Sequence, residues 1–158
     1  MIEFTHLNDQ GEAHMVDVSS RDVSVREATA TGRVVTAAAA AIRRGEVPKG
    51  DVLGVARVAG IMATKRTPDL IPLCHPIAIH GVEVSVTVAE GADEVLISAT
   101  VRTADRTGVE MEALTAVAVA GLTVIDMVKS SDPGAALTDV RVDAKDGGRN
   151  GPWRREVR

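Results

Sequence analysis

Four ionisable residues stand at the two ends of one apolar run, GVEMEALTAVAVAGLTVIDMVKSSD, Gly108 to Asp132. Glu110 and Glu112 open it, and Asp126 and Lys129 close it. Carboxylates and an amine of this kind can exchange protons with a bound molecule. An Asp three positions before a Lys lies on a neighbouring helix face, where the pair either fixes its own charge state or holds the lysine ready as acid or base. Structural duties are available too. Thr107 and Glu110 have the T-x-x-E spacing of a capping box, and Lys129 would complement the negative end of the helix dipole. Asp126 resists that account, because a carboxylate near a helix C-terminus is disfavoured. The fourteen positions from Glu112 to Asp126 would span about 21 Å of helix at about 1.5 Å per residue. One subunit cannot bring both ends to one bond. A structural role for one end, a long ligand or a symmetric dimer would each resolve this, and the dimer does so most simply.

Two further stretches carry chemistry-bearing types. PKGDVLG sets Lys49 just before a predicted helix, where an ammonium and free backbone N–H groups could meet an anion; an ordinary surface lysine is the alternative. LIPLCHPIAIHG holds His75 between Cys74 and Pro76 in a stiff apolar loop, as a core side chain or as a titrating group. Cys74 has no base or metal partner at motif spacing and reads as a buried neutral thiol. Lys65 and Arg66, ending the second helix, fit either phosphate binding or dipole complementation. No P-loop, G-x-G-x-x-G after a strand, HExxH or G-x-S-x-G is present.

The elements that must position these residues follow from periodicity. AHMVDV, Ala13 to Val18, reads as a strand, with SVREATATG extending it or starting another. Thr31 offers an N-cap to a helix over GRVVTAAAAAIRR, ended by Gly45. Asp51 caps a second helix, DVLGVARVAGIMATKR, ended by Thr67-Pro68. DLIPLCHPIAIHG is an ordered loop with extended pieces. Val82, Val84, Val86 and Val88 alternate with polar residues, as do Val95, Ile97, Ala99 and Val101 after the turn at EGAD, which predicts an antiparallel hairpin. The long helix, the stop signal SSDPGA and a last strand in LTDVRVDA complete the order. Strand, helix, helix, strand, strand, helix, strand is an α+β, ferredoxin-like split βαβ pattern with an antiparallel sheet and an extra helix in the first crossover. A single domain over residues 1–158 is expected, with a Gly-rich basic tail over residues 149–158 mobile at its end.

Composition excludes several classes. With Phe4 and Trp153 as the aromatic residues and a net charge of −4, the chain lacks both the stacking platforms and the basic face of a nucleic-acid binder. Its single cysteine rules out an intrachain disulfide and a Cys-rich zinc site. The polar opening MIEFTHLNDQGEAH reads as no signal peptide. The longest uncharged run in the apolar helix, Ala113 to Ile125, is shorter than the roughly 20 residues a bilayer needs. A cytoplasmic protein without membrane association is expected.

KGDVLGVARVAGIMATKRTPDLIPLCHP, GVEMEALTAVAVAGLTVIDMVK and THLNDQGEAHMVDVS together resemble the MoaC family, over Thr5 to about Gly148. The resemblance implies conversion of 3′,8-cyclo-7,8-dihydroguanosine 5′-triphosphate into cyclic pyranopterin monophosphate with loss of diphosphate, in molybdenum cofactor biosynthesis. It implies a ferredoxin-like fold and homohexamers built as trimers of dimers, with active sites at the dimer interface. It places catalysis on Lys49, Asp126 and Lys129, and substrate binding on Leu73, Cys74, His75, Glu110, Met111, Glu112 and Arg26. No resident cofactor or metal ligand set is evident; Mg²⁺ could accompany the triphosphate. The competing reading is a catalytically silent oligomer that binds a nucleotide or pterin with the same residues.

Overall fold

The centre of the sheet is β1, Ser24–Val35, hydrogen-bonded on both sides in the computed structural model, which describes residues 6–156. The first residue of the family resemblance, Thr5, and the last two of the tail lie outside the described residues. Along β1, Ala28, Ala30, Gly32 and Val34 are buried while their neighbours face outward, the period of two that a sheet with one covered face imposes. After β1 come α1 (Ala39–Arg44), α2 (Val52–Thr64) and a single turn, α3 (Thr67–Leu70). The hairpin β2 (Gly81–Val88) and β3 (Glu94–Asp105) follows, then α4 (Glu110–Val128), β4 (Ala136–Asp146) and the short β5 (Trp153–Arg154). The sheet order is β2-β3-β1-β4-β5, with every pairing antiparallel. This is the expected ferredoxin-like α+β arrangement with extra helix in the first crossover.

The hairpin forms as predicted, with Val84 opposite Ala99 and Val86 opposite Ile97. Helices α2 and α4 cover one face, α4 lying across β1, β3 and β4 and α2 beside it over β2. The core between the layers is built from Val, Ala and Ile, with Val95, Val101, Ala113, Ala116, Val117, Ala120 and Val124 all fully buried. Small side chains let the layers approach. A Cβ added to Gly60 of α2 would stand 3.0 Å from the Ala116 carbonyl oxygen of α4 and 3.4 Å from Ala120 Cβ. By length and composition alone α4 could cross a bilayer; here it packs as the core helix of the sheet.

Several local expectations are corrected. Thr31 caps no helix: Gly32 to Val35 continue β1, and the Thr31 hydroxyl donates to Asp143 of β4. Central-strand pairing overrides the helical tendency of the segment, and α1 starts only at Ala39. The Thr36 hydroxyl accepts from Ala38 N–H in the turn before it. Gly45 does end α1 in the left-handed conformation, with φ 69°. Asp51 does cap α2, accepting from Gly54 N–H at 2.9 Å. Pro68 starts α3 rather than merely ending α2. Ala13 to Val18 is not a strand. Ala13 makes only an isolated bridge to Leu7, around a turn in which Asn8 Oδ1 accepts from Gln10 and Glu12 N–H. In the tail, Trp153 and Arg154 pair with Lys145 and Ala144.

Gly60→Val should overpack the α2–α4 contact and lower stability by about 1–3 kcal/mol. A fall in the urea midpoint at unchanged slope and fixed protein concentration would register it; an unchanged midpoint would show that the helices can separate freely.

Candidate active site

Helix α2 runs antiparallel to α4, so the loop before Asp51 arrives beside the last turn of α4. That brings Lys49 to Asp126 across 77 positions of sequence. Lys49 Nζ donates to the Asp126 carbonyl oxygen at 2.6 Å and lies 3.2 Å from Asp126 Oδ2. Lys129 Nζ sits 2.7 Å from the other carboxylate oxygen, Oδ1. Asp126 is therefore held between two ammonium groups. The hydrogen bonds from Lys129 and then Lys49 keep its carboxyl below the usual carboxylate range. The two ammoniums also answer the objection to an acid at this place, since they offset the negative helix end. All three side chains are exposed. Exposed ion pairs stabilise a fold by about 0–1 kcal/mol, so folding does not require this cluster.

The opposite end of α4 borders a 200 Å³ cavity lined by Leu73, Cys74, His75, Glu110, Met111 and Glu112, together with Val16 and Arg21. The loop read as ordered supplies the first three. His75 Nε2 is 2.6 Å from the Val16 carbonyl oxygen. A carbonyl can only accept, so Nε2 carries the proton and Nδ1 is left for another partner. This fixes the stretch after Ala13 over the cavity. Glu112 is 1% exposed, and its Oε2 has no hydrogen-bond partner among the described residues. Its Oε1 is 3.6 Å from Cys74 Sγ. Burial, with the Glu112 charge alongside, pushes the Cys74 thiol up to about 11, so the thiol stays neutral and donates. Burial likewise raises the Glu112 carboxyl, and the charge of Glu110 adds to this. A buried carboxylate oxygen without a donor is an incomplete arrangement. It fits a bound molecule that brings N–H groups.

Glu110 makes no capping box with Thr107. Val109, fully buried, is the N-cap residue and has no side-chain cap, and Glu110 turns to Lys145 of β4 at 3.2 Å. Arg26 lies in an adjoining 310 Å³ cavity that shares Arg21, Thr107, Gly108 and Glu110 with the first. Its Nε donates to the Asp105 carbonyl oxygen at 3.0 Å, and its guanidinium lies against the backbone of Gly148. On the other side of Glu112, Lys65 lines a 350 Å³ cavity. Arg66 instead pairs with Asp69 at 3.3 Å. Lys145 and Arg21 were not legible as site residues. The alternation of LTDVRVDAKD could have placed Lys145 at the end of a strand, but the glycines after it read as the start of a tail.

The structure thus gathers the sequence-derived residues into two groups: Lys49, Asp126 and Lys129 at one end of α4, and Leu73, Cys74, His75, Glu110, Met111, Glu112 and Arg26 at the other. Within one chain it does not join them.

The MoaC family profile matches residues 15–148. A cyclic pyranopterin monophosphate synthase of Streptomyces coelicolor is 61% identical over 153 residues, covering 96% of this chain and 89% of its own length. One from Nocardioides is 60% identical over 154 residues, covering 96% and 94%. One from Pelobacter propionicus is 50% identical over 157 residues, covering 98% of each. With agreement of this depth running from one end to the other, the chain belongs to the MoaC family.

Proposed function

We propose that the protein is a lyase of molybdenum cofactor biosynthesis that converts 3′,8-cyclo-7,8-dihydroguanosine 5′-triphosphate into cyclic pyranopterin monophosphate and diphosphate. The observation that carries the mechanism is Asp126 clamped between Lys49 and Lys129 at a solvent-facing position. The reaction must open the imidazole part of the purine, rebuild a pterin and close a cyclic phosphate. Each stage moves protons on nitrogen or oxygen, and several acid–base groups serve it better than one nucleophile. Closing the ring joins a sugar oxygen to the innermost phosphorus and breaks that phosphorus's bond to the diphosphate. The hydroxyl proton must leave, and the departing diphosphate takes the bonding electrons. Lys49 and Lys129 are suited to both tasks, as proton-transfer groups and as countercharges. Asp126 orients them.

At the other end, Glu112 offers an unpartnered carboxylate oxygen to the ring. The paired N–H donors on the pyrimidine edge of a guanine-derived ring are complementary to a carboxylate. His75 and Glu110 bind around the ring and sugar, and Arg26 binds phosphate. Mg²⁺ arriving with the triphosphate is compatible with this arrangement.

A second copy of the chain completes the site. Val55, Val58 and Met62 form an exposed stripe on α2, and Met111 and Leu122 are exposed on α4 on the side that also carries Asp126 and Lys129. A two-fold axis crossing near the middle of α4 would set the Asp126 end of one copy beside the Glu112 end of the other. This supports a homodimeric unit; a homohexamer of three such units in the cytoplasm is what the family resemblance adds. A silent binding oligomer has nothing comparable in its favour, since binding alone gives no reason to hold Asp126 between two amines.

Lys49→Ala, Asp126→Ala and Lys129→Ala should each lower turnover by about 100-fold or more without loss of fold. The assay mixes enzyme with the cyclised triphosphate and follows diphosphate and pterin product; binding without product in the wild type would establish the silent module instead. Glu112→Gln should lower kcat/KM by about tenfold or more while stabilising the fold at neutral pH. The raised carboxyl means that folded Glu112 holds its proton to higher pH than unfolded Glu112, so this residue's contribution to stability falls as pH rises between the two values. The neutral amide escapes that penalty. The gain in urea midpoint should therefore be present at pH 7 and vanish below about pH 4; an equal gain at both would remove the charge from the explanation.

A further inference from the structure

We infer that Asp132, just past the end of α4, is a positioning residue for the reaction proposed above. It ties the exit of α4 to the start of the segment that carries Lys49, and so holds the two amines on opposite oxygens of Asp126. The inference rests on that reading of the reaction and extends it to a residue that the sequence marks only as part of a stop signal.

Lys129 needs little outside help, since it stands one helix turn from Asp126 and reaches Oδ1 at 2.7 Å. Lys49 comes from another part of the chain and reaches Oδ2 at 3.2 Å. Its place depends on what fixes the stretch from Thr36 to Gly50 against the last turn of α4. Asp132 does this. Its Oδ2 accepts from the Thr36 hydroxyl at 2.7 Å and from Ala37 N–H at 2.9 Å, and its Oδ1 accepts from Gly134 N–H at 3.0 Å. Thr36 is buried, and its own N–H donates to the Asp93 carbonyl oxygen at 2.8 Å, which fixes it to the turn of the hairpin. The hydrogen bonds from Thr36 and then Ala37 keep the Asp132 carboxyl below the usual carboxylate range, so the link is charge-assisted at neutral pH.

Both segments are stiff between their anchor points. Past Val128 the chain turns tightly, with the Ser131 and Asp132 N–H groups both donating to the Val128 carbonyl oxygen. On the other side Ala38, Ala39, Ile42 and Val47 are buried. Glu46 N–H donates to the Ala41 carbonyl oxygen at 2.9 Å, and Gly50 N–H to that of Val47 at 3.0 Å. The same two segments therefore meet twice, at Asp132 with Thr36 and at Asp126 with Lys49. Releasing the first contact lets α1 and the loop after it shift, and an ammonium on a long flexible stem is the first group to lose its place. The far end of the segment stays anchored by the Asp51 cap of α2. The loss therefore falls on the geometry around Asp126.

The test compares full-length wild type with Asp132→Ala, Asp132→Asn and Lys49→Ala. A carbon-13 NMR titration of the Asp126 carboxyl reads the arrangement without any turnover. Lys129 and Lys49 hold this carboxyl down, so removing Lys49 from Oδ2 must raise it towards the ordinary value. Asp132→Ala should raise it in the same direction as Lys49→Ala. Asparagine restores an oxygen for Thr36 and Ala37, so Asp132→Asn should bring the titration most of the way back. Thr36→Val, which removes only the hydroxyl, carries the same expectation as Asp132→Ala where that variant does not fold. With the cyclised triphosphate, Asp132→Ala should lower kcat about tenfold or more at nearly constant KM, and move the acid limb of kcat to higher pH. Added to Lys49→Ala it should cost nothing further, because both changes act through one interaction. A wild-type Asp126 titration and acid limb in Asp132→Ala would overturn the inference even if the urea midpoint falls, since a purely structural link lowers stability alone. A shifted titration with normal kcat would overturn it too. If the titration shifts and the wild type forms no product, the link stands and the proposed reaction falls.

Discussion

Where α2 crosses α4, the α-carbon of Gly60 faces the carbonyl of Ala116 so closely that even a Cβ would stand 3.0 Å from that oxygen. This close antiparallel contact governs the rest of the molecule. Because the helices lie so near, the loop before α2 delivers Lys49 to the last turn of α4, and the end of α2 delivers Lys65 to the neighbourhood of Glu112. Because α4 lies flat on β1, β3 and β4, its first turn meets the end of β4, where Lys145 waits for Glu110. A core of Val and Ala makes such nearness possible: each buried valine contributes roughly 1.5–3 kcal/mol while keeping the layers thin. Larger side chains at these contacts would push the polar ends of the helices out of reach of one another.

The two ends of α4 stand in opposite relations to stability. At Asp126 the charges are exposed and paired, and the fold would stand without them. At Glu112 a carboxyl is buried with one oxygen unpartnered, which opposes folding. Neither arrangement is what packing alone would select. Local rules fail where function asks for something else, and here the failures fall at both tips of one helix whose middle is an unremarkable apolar rod.

What the sequence disclosed followed the same division. Patterns enforced by their own neighbours were legible: the alternating valines of the hairpin, the Asp51 cap, the left-handed Gly45, the Asp126–Lys129 pair. Patterns decided by distant partners were not. Thr31 has the chemistry of a cap, yet its segment is a central strand held by β3 and β4 from both sides. Thr107 and Glu110 have capping-box spacing, but the burial of Val109 and the pull of Lys145 take Glu110 elsewhere. His14 and Asp17 interrupt AHMVDV with polar side chains, and that backbone instead offers the Val16 carbonyl to His75. The residues after Lys145 read as tail because a two-residue strand leaves almost no periodic trace, and its pairing partner is the strand just before it.

Separation along α4 is finally what makes sense of the apolar stripes. A rigid helix cannot fold its own ends together, and about 21 Å is too far for a proton to pass directly between groups on the two tips. If both groups act on one small molecule, another copy must supply the missing end, and the copy has to dock along the helix rather than at its tip. The exposed face of the helix layer suits that geometry. Met111 and Leu122 lie on the side of α4 that carries Asp126 and Lys129, with Val55, Val58 and Met62 on the neighbouring helix. Contact along such a face would reverse one α4 against the other and exclude water between two incomplete sites at once. Exclusion of water would in turn strengthen the attraction between the lysines and a phosphate, since the same charges act in a lower dielectric.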